Sequence, residues 1–524
     1  EPVAGSLGNQ VARPIAVLLQ NQTVVSNGFV TLLPRRMELF TFPPQDYSLL
    51  GTNQWMNLLT VHELRHVVQL DLARNGIGKW LYALLGNNGP ALLNTLFVPD
   101  WFMEGDAVLT ETLMTPGGRG YIPQFDLPLR AQLLSRGAFS YPKAVGGSFK
   151  HNVANHYTLG YFLTSYLNKS YGADRWGGIL EQTYRKPLAP FPFSNQIRKA
   201  TGLKVEQLYA KTMDDIGGQW EQSAAGETLT AAEVFPVNRQ KVFTNYEYPQ
   251  ILPDGRLVAL RSGLGDIATL VSWESDRTAE IRLHTTGYFY PSGMLSAGGN
   301  RLVWAERRLD ARWGLRDYSV IMCLDLNSGK TRQLTQRTRV VAPAIAPDGL
   351  RIAAVSQTTA LEEHLIIIDA GSGEELAVVP GGGGHLLQPR WSEDGRKIAI
   401  VKQLENSKSI LIYDTETQGW STALPQCGEN IAHPVWWGEY LLFNQVAGGK
   451  DQIGALHLPS GRRYTVTNRP LGAYNPSVAT GGDRLYFNEF TVDGHRISKM
   501  TLQPEQWISF TASEAAVIPY CEPL

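Results

Sequence analysis

The sequence predicts a multidomain chain: an α+β region over residues 1–225, a linker over 226–238 and an all-β region over 239–524. Three observations predict this. At 524 residues the chain is longer than one hydrophobic core usually organises. Up to about residue 220, apolar residues recur mainly at helical spacing. Beyond the polar stretch Gln222-Ser-Ala-Ala-Gly-Glu227 that periodicity gives way to short β-runs, several of them introduced by a proline and an Asp-Gly pair.

The first region begins with short apolar runs between about Arg13 and Thr41, punctuated by Asn27-Gly28 and Pro34, which read as strands and a turn. Such a sheet either offers an edge to an extended peptide, forming the upper rim of a cleft, or simply supports the helix that follows. From Gln54 to about Asn75, Trp55, Leu58, Leu59, Leu64, Val67 and Val68 recur at helical spacing, with Gly76 as a C-cap. Residues 77–99 form an apolar insertion broken by Asn87-Asn88-Gly89-Pro90 and read as two short helices joined by a turn. This insertion is either a packed helical element or a lid or membrane-touching flap. Asp100 is placed to cap a helix that runs to Met114 and is stopped by Thr115-Pro116-Gly117. A further helix leads from Asn155 to Gly172, and Phe193 to Ile216 reads as two amphipathic helices around Thr201-Gly202.

The chemistry lies in the first long helix, which contains His62-Glu63-Leu64-Arg65-His66, an H-E-x-x-H pattern. Histidines at i and i+4 stand on one helix face and can turn ring nitrogens toward one ion. Glu63 follows the first histidine by one residue, which sets it beside such an ion, where it can take a proton from a water. A catalytic zinc wants three protein ligands and an open position, so the next helix is the place to seek the third. Glu104 is the candidate, because a carboxylate one turn into an apolar helix needs a charge partner.

With Trp101-Phe-x-Glu104-Gly-x-Ala-x-x-x-Glu111 standing downstream of H-E-x-x-H, residues 13 to 220 resemble the gluzincin metallopeptidases, the class of thermolysin and aminopeptidase N. The resemblance implies an α+β zincin-like domain. It makes His62, His66 and Glu104 ligands of Zn2+, Glu63 the general base, and Glu111 an acid that orients a ligand. Tyr157, in Tyr157-Thr-Leu-Gly160, is similar to the tyrosine that stabilises the oxyanion in the same branch, a role that His151 or His156 could also fill. Thirty-seven residues lie between His66 and Glu104, about twice the spacing of the aminopeptidases. The apolar insertion makes the difference.

In the second region, Pro249, Pro343 and Pro389 each precede an Asp-Gly pair and a β-run, and weaker copies start at Pro291, Pro434 and Pro476. Successive prolines are 42, 52, 46, 45 and 42 residues apart, about the length of a four-stranded propeller blade. The copies resemble TolB-type, WD40-like repeats, which implies an all-β six-bladed β-propeller whose Asp-Gly hairpins leave the innermost strands. A closing strand is expected from Arg239–Thr244 or from Trp507–Thr511. The Gly381-Gly-Gly-Gly-His385 stretch reads either as a flexible connection or as a close backbone approach to a ligand.

Composition narrows the function. Lys+Arg of 47 against Asp+Glu of 48 leaves no polybasic footprint for nucleic acid. The three cysteines have no metal or redox spacing and can form one bridge at most. The chain shows no signal peptide and no spanning apolar run. The low charge content and the abundant glycine and aromatic residues are more typical of β-rich extracytoplasmic proteins, and with the TolB-type resemblance the expected setting is the bacterial periplasm or outer-membrane surface. The leading expectation is a zinc metallopeptidase, an endopeptidase because no Gly-Ala-Met-Glu-Asn amine-binding motif occurs. Its partners would be a peptide or protein substrate, an envelope protein on the propeller, and a membrane if the insertion is a flap. The alternative is a propeller-based scaffold protein of the envelope whose metal domain is structural or inactive.

Overall fold

The computed structural model describes residues 3, 7, 14–32, 34–173, 175–237, 240–274, 278–288 and 294–521. A helical region carrying a small sheet comes first. Strands β1 (Ala16–Gln20), β2 (Gly28–Leu32) and β3 (Arg35–Phe40) pair in the order β1-β3-β2, with β1 parallel and β2 antiparallel to β3. After the single turn α1 (Tyr47–Leu50) comes α2 (Trp55–Leu72), the helix of the histidine motif. Trp55 donates its indole N–H to the Phe40 carbonyl at 2.7 Å, tying the start of α2 to the end of β3.

Apolar residues lie on two sides of α2. Trp55, Leu59 and Val67 pack with Met37 and Leu39 of the sheet, while Val68 and Leu72 join the main helical core. His62, Glu63, Arg65, Gln69 and Asp71 of the same helix are buried as well, whereas Asn57 and Thr60 are exposed. The insertion forms α3 (Ile77–Leu85) and α4 (Asn88–Phe97), and α5 is Asp100–Met114. Two boundaries differ from the sequence reading: α2 ends at Leu72 with Ala73 as its C-cap, and Asp100 lies in the first turn of α5 behind Pro99 instead of capping it. Helices α6 (Leu127–Arg136), α7 (Tyr141–Gly146), α8 (His156–Tyr171), α9 (Arg175–Arg185), α10 (Pro192–Thr201) and α11 (Val205–Ala224) complete the region.

The β-rich half holds, among the described residues, six sheets: I (244–285), II (296–333), III (340–380), IV (385–427), V (432–465) and VI (473–501). Their opening strands touch in sequence from sheet I to sheet VI, and the opening strand of VI returns to that of I. The prolines of the repeat mark one local device. In the opening strands of five sheets the register shifts at a bulge, and Tyr248, Ala342, Gln388, His433 and Asn475, each just before its proline, have φ between 52° and 54°. Proline fits there because a bulge releases the ladder bond it cannot make. Pro291 lies outside the described residues.

Two expectations are corrected. The stretch 226–238 is not only a linker, since Glu233–Val234 pairs with Ser498 and Lys499 as the outer strand of sheet VI. Neither expected closing segment plays that part: Thr244 opens sheet I, Ile508–Ser509 adds to the outer edge of sheet V, and Arg239 lies outside the described residues. The C-terminal tail leaves the sheets altogether, for the Tyr520 hydroxyl bonds Asp215 of α11 and its ring packs on Phe162. No disulfide joins Cys323, Cys427 and Cys521 among the described residues.

The two halves are clamped along residues 21–53. Asp317 of sheet II accepts from the Thr23 hydroxyl (2.8 Å) and the Val24 amide (2.6 Å). Gln45 donates to the Leu386 carbonyl, Gln388 donates to the Gln45 carbonyl, and Asn430 donates to the Tyr47 carbonyl. His385, which ends the glycine run, faces Glu363 with one ring nitrogen and the Pro44 carbonyl with the other. It is part of this clamp.

Candidate metal centre

Four polar residues of α2, at positions 62, 65, 66 and 69, follow helical spacing and share the side of α2 that α5 covers. The approach of α8 completes the site. Gly105 of α5 and Gly160 of α8 meet backbone to backbone: a Cβ on Gly160 would stand 1.7 Å from the Trp101 carbonyl oxygen. That crossing brings Tyr157, one turn before Gly160, to Glu104, one residue before Gly105. The glycines of the two motifs thus set the distance between the side chains that precede them.

The imidazoles of His62 and His66 and the Glu104 carboxylate converge, their ligand atoms all within 4.8 Å of one another. The His62 and His66 Nε2 atoms are 3.3 Å apart and lie 3.2 and 3.3 Å from Glu104 Oε2. This group is able to hold a metal ion. The outer nitrogens have partners of their own: His62 Nδ1 lies 3.0 Å from Glu111 Oε2 and His66 Nδ1 2.9 Å from Gln69 Oε1. With a proton on each Nδ1, those bonds would leave each Nε2 lone pair for an ion. Gln69 is fixed in turn by the Asp106 carboxylate, which also receives both branches of Arg65 at 2.6 and 2.7 Å.

Arg119, in the loop after α5, donates to Glu111 Oε1 at 2.6 Å and to Oε2 at 2.9 Å. It also comes within 2.8 Å of His62 Nδ1, but that nitrogen must carry a proton if Nε2 is to ligate, so the carboxylate is its productive partner. Burial works to raise the Glu111 carboxyl, and Arg119 followed by His62 overrules it, bringing it down to about 2. Burial likewise opposes the charge of Glu104, which the hydrogen bonds of His62 and His66 hold well below the usual carboxylate range. His66 is lowered by burial and raised more strongly by Glu104, to about 9. Glu63 is shifted the other way: burial raises it, only partly offset by His66 and His62, and its Oε2 is buried with no hydrogen-bond partner among the described residues. Gly28 of β2 packs over it, where a Cβ would lie 3.1 Å from Glu63 Cγ.

Tyr157 is half-buried, its ring 6.2 Å from that of His62 and under the Arg119 guanidinium. Burial first and the Glu104 charge second push its hydroxyl up to about 12. The two histidines offered as alternatives to it are placed differently. His151 pairs with Lys143, and His156 is exposed beside the Tyr157 ring. The structure therefore gathers His62, Glu63, His66, Glu104, Glu111 and Tyr157 in one place. Sequence reasoning missed Arg119, Gln69 and the Arg65–Asp106 pair. Arg65 carried a signal, because an arginine inside a buried helix demands an acid, and Asp106 lies two residues after Glu104.

No protein-family model matches the chain, and no curated protein matches it. The similar solved structures are TolB-like and other β-propeller proteins covering about half the chain. TolB from Acinetobacter baumannii is 11% identical, covering 52% of this chain and 86% of that one, with a TM-score of 0.34. The β-propeller domain of the Trilobed protease from Pyrococcus furiosus is 10% identical (50% and 99% covered, TM-score 0.35). Oligogalacturonate lyase from Vibrio parahaemolyticus is 12% identical (53% and 98%, TM-score 0.36).

Proposed function

We propose that this chain is a zinc metallopeptidase of the gluzincin type, cutting within peptide chains, whose six sheets form a six-bladed propeller that binds a partner or controls access. One observation carries the reading: three ligand atoms lie within 4.8 Å of one another while the adjacent Glu63 keeps a buried carboxylate oxygen without a partner. A structural ion would need no such oxygen beside it. Two histidines with a carboxylate are an established zinc donor set, and the Nδ1 bonds of both histidines suit it.

Held by His62, His66 and Glu104, the ion supplies Lewis acidity to a carbonyl and to a water. The chain's own residues supply the rest. Glu63, made more basic by burial, takes the proton from the attacking water and passes it to the leaving amine. Tyr157 stays protonated at neutral pH, so its hydroxyl donates to the oxygen on which negative charge develops. Glu111 and Arg119 keep His62 in its ligating tautomer. Strand β2 is an edge of its sheet with Gly28 lying on Glu63, so an extended peptide can add along β2 and present its carbonyl there. An extracytoplasmic bacterial setting goes with the TolB-type repeats.

The test joins metal analysis with cleavage of a peptide library. Wild type and Glu63→Gln should both bind one equivalent of zinc, and Glu63→Gln should lose cleavage by about a thousandfold or more. Tyr157→Phe should fall about a hundredfold with metal retained. Zinc-loaded protein that cleaves nothing in a Glu63-dependent way would overturn the reading and leave the scaffold alternative.

A further inference from the structure

The insertion is well packed at its root and apolar at its surface. Gly89 of α4 approaches the Leu81 carbonyl so closely that a Cβ would meet it at 2.6 Å, and Leu93 is buried in the core with Val68 and Leu72 of α2. The outer faces are another matter. Trp80 and Leu84, one turn apart on α3, are 74% and 79% exposed, and Leu92 and Leu96, one turn apart on α4, are 50% and 63% exposed. Phe191, 82% exposed, extends the patch, for Leu96, Phe97, Ala189 and Phe191 line one open cleft of about 660 Å³ with Arg198 and Lys204. Monomeric proteins rarely leave so many large apolar side chains together in water.

Charge identifies what covers them. Residues 72–99 and 186–205 contain no aspartate or glutamate, although the chain as a whole is balanced at -1; the acids that border them are Asp71, Asp100 and Glu206, the last of which lines the cleft. They do contain Lys79, Lys186, Arg198, Lys199 and Lys204, all exposed. No described helix is long and apolar enough to cross a membrane, and α3 and α4 have 9 and 10 residues. Short amphipathic helices with outward tryptophan and leucine and a cationic rim lie in the interface of an anionic bilayer. We propose that the α3–α4 hairpin and the 186–205 segment form a docking surface for an anionic phospholipid membrane, Trp80, Leu84 and Leu96 entering the headgroup boundary and the lysines and arginines meeting lipid phosphates. The surface roots on the C-terminal end of the metal helix but does not depend on the peptidase reading.

Vesicle flotation of the full chain tests it. The protein should float with vesicles of phosphatidylcholine containing roughly 30% phosphatidylglycerol and much less with phosphatidylcholine alone, and added salt should weaken the binding. Trp80→Ser/Leu84→Ser/Leu96→Ser should lower partitioning at least about tenfold, and Lys79→Gln/Arg198→Gln/Lys199→Gln should remove the preference for the anionic lipid. Should the apolar variant not fold, Trp80→Phe gives an independent reading: brominated lipid should quench wild-type fluorescence, and the quenched component should vanish in Trp80→Phe. Unchanged binding by the folded variants would overturn the proposal. So would an absence of vesicle binding, and if light scattering then finds a dimer that the same apolar substitutions dissociate, the patch is instead a contact between two copies.

Discussion

Two helix pairs of the first region depart from the ordinary inside-out pattern in opposite directions. Where α2 meets α5, polar side chains are inside: His62, Glu63, Arg65, Gln69, Asp106 and Glu111 are all buried. In α3 and α4, large apolar side chains are outside, Trp80, Leu84 and Leu96 among them. The α3–α4 pair is closed by a backbone contact, Gly89 against Leu81, and α5 is held by another, Gly105 against Gly160 of α8, so loose packing explains neither departure. The difference lies in how each departure is compensated. The buried polar groups are partnered almost atom by atom, Glu63 Oε2 excepted, whereas nothing among the described residues covers the exposed apolar ones. An uncompensated departure points to what the site acts on or binds.

The largest effect should come from breaking the compensation at α2 and α5. Arg65 and Asp106 have side chains only 3% and 1% exposed. Asp106→Ala would leave the Arg65 charge without its carboxylate and the Gln69 amide with only the Met103 carbonyl, and should destabilise the helical region by about 3–5 kcal/mol in denaturant unfolding. Arg65→Met/Asp106→Leu should recover most of that loss. A double variant as unstable as the single would mean that the pair is not compensation but the source of stability.

Gly160→Ala asks whether the crossing of α5 and α8 holds the site together. The added methyl would stand 1.7 Å from the Trp101 carbonyl oxygen and 2.8 Å from Gly105 Cα, and backbone cannot give way as a side chain can. A loss of about 1–3 kcal/mol is expected, with activity falling further because Tyr157 moves away from Glu104. Gly178→Ala, in α9 with nothing within 4 Å, is the matched control and should be neutral to slightly stabilising.

The clamp between the halves shows a milder departure, because Asp46 and Glu247 bring two carboxylates together there. Burial first and Asp46 second raise Glu247 to about 7, against a hydrogen bond with Ser262. The neighbouring His495, which burial lowers to about 4, offers no positive charge at neutral pH. A carboxyl raised in the folded state stabilises while it is protonated, so its contribution, whole below its ordinary 4.5, is lost as pH climbs through about 7. Glu247→Gln removes that titration. It should match wild type near pH 5 and exceed it by about 1–2 kcal/mol at pH 8 in thermal or denaturant melts.

How far these features were legible in the sequence follows from how each is encoded. His62, Glu63, His66, Glu104, Glu111 and Tyr157 sit at fixed spacings within single helices, so a pattern reveals them. The repeat was legible for the same reason, its prolines marking a bulge in each of five sheets. Arg119 was not, since it reaches Glu111 from a single 3-10 turn, Arg119–Tyr121, entered through Gly117-Gly118, and one turn is too short to leave a periodicity. The outer strand of sheet VI was missed because two residues, Glu233 and Val234, are too few to show alternation. Residues 21–53 were illegible as a clamp, for their partners lie about 300 residues away and many of the bonds use backbone carbonyls, which every residue has.

The smallest effect should be found where the sequence alone would expect a large one. Leu92 and Leu93 are adjacent in α4, yet Leu92 is 50% exposed and Leu93 only 4%. Leu92→Ser removes a methyl-bearing side chain that water already reaches, so neither a cavity nor a stranded polar group results, and stability should stay within about 0.5 kcal/mol of wild type. The same change at Leu93 would place a hydroxyl among Val68 and Leu72 and empty a core position. If Leu92→Ser were as costly as a core substitution, the outer face of α4 would already be packed in the isolated chain, and the contrast between the two helix pairs would fail. If it is neutral in solution but weakens vesicle binding, the leucine is kept for what the face meets outside the protein.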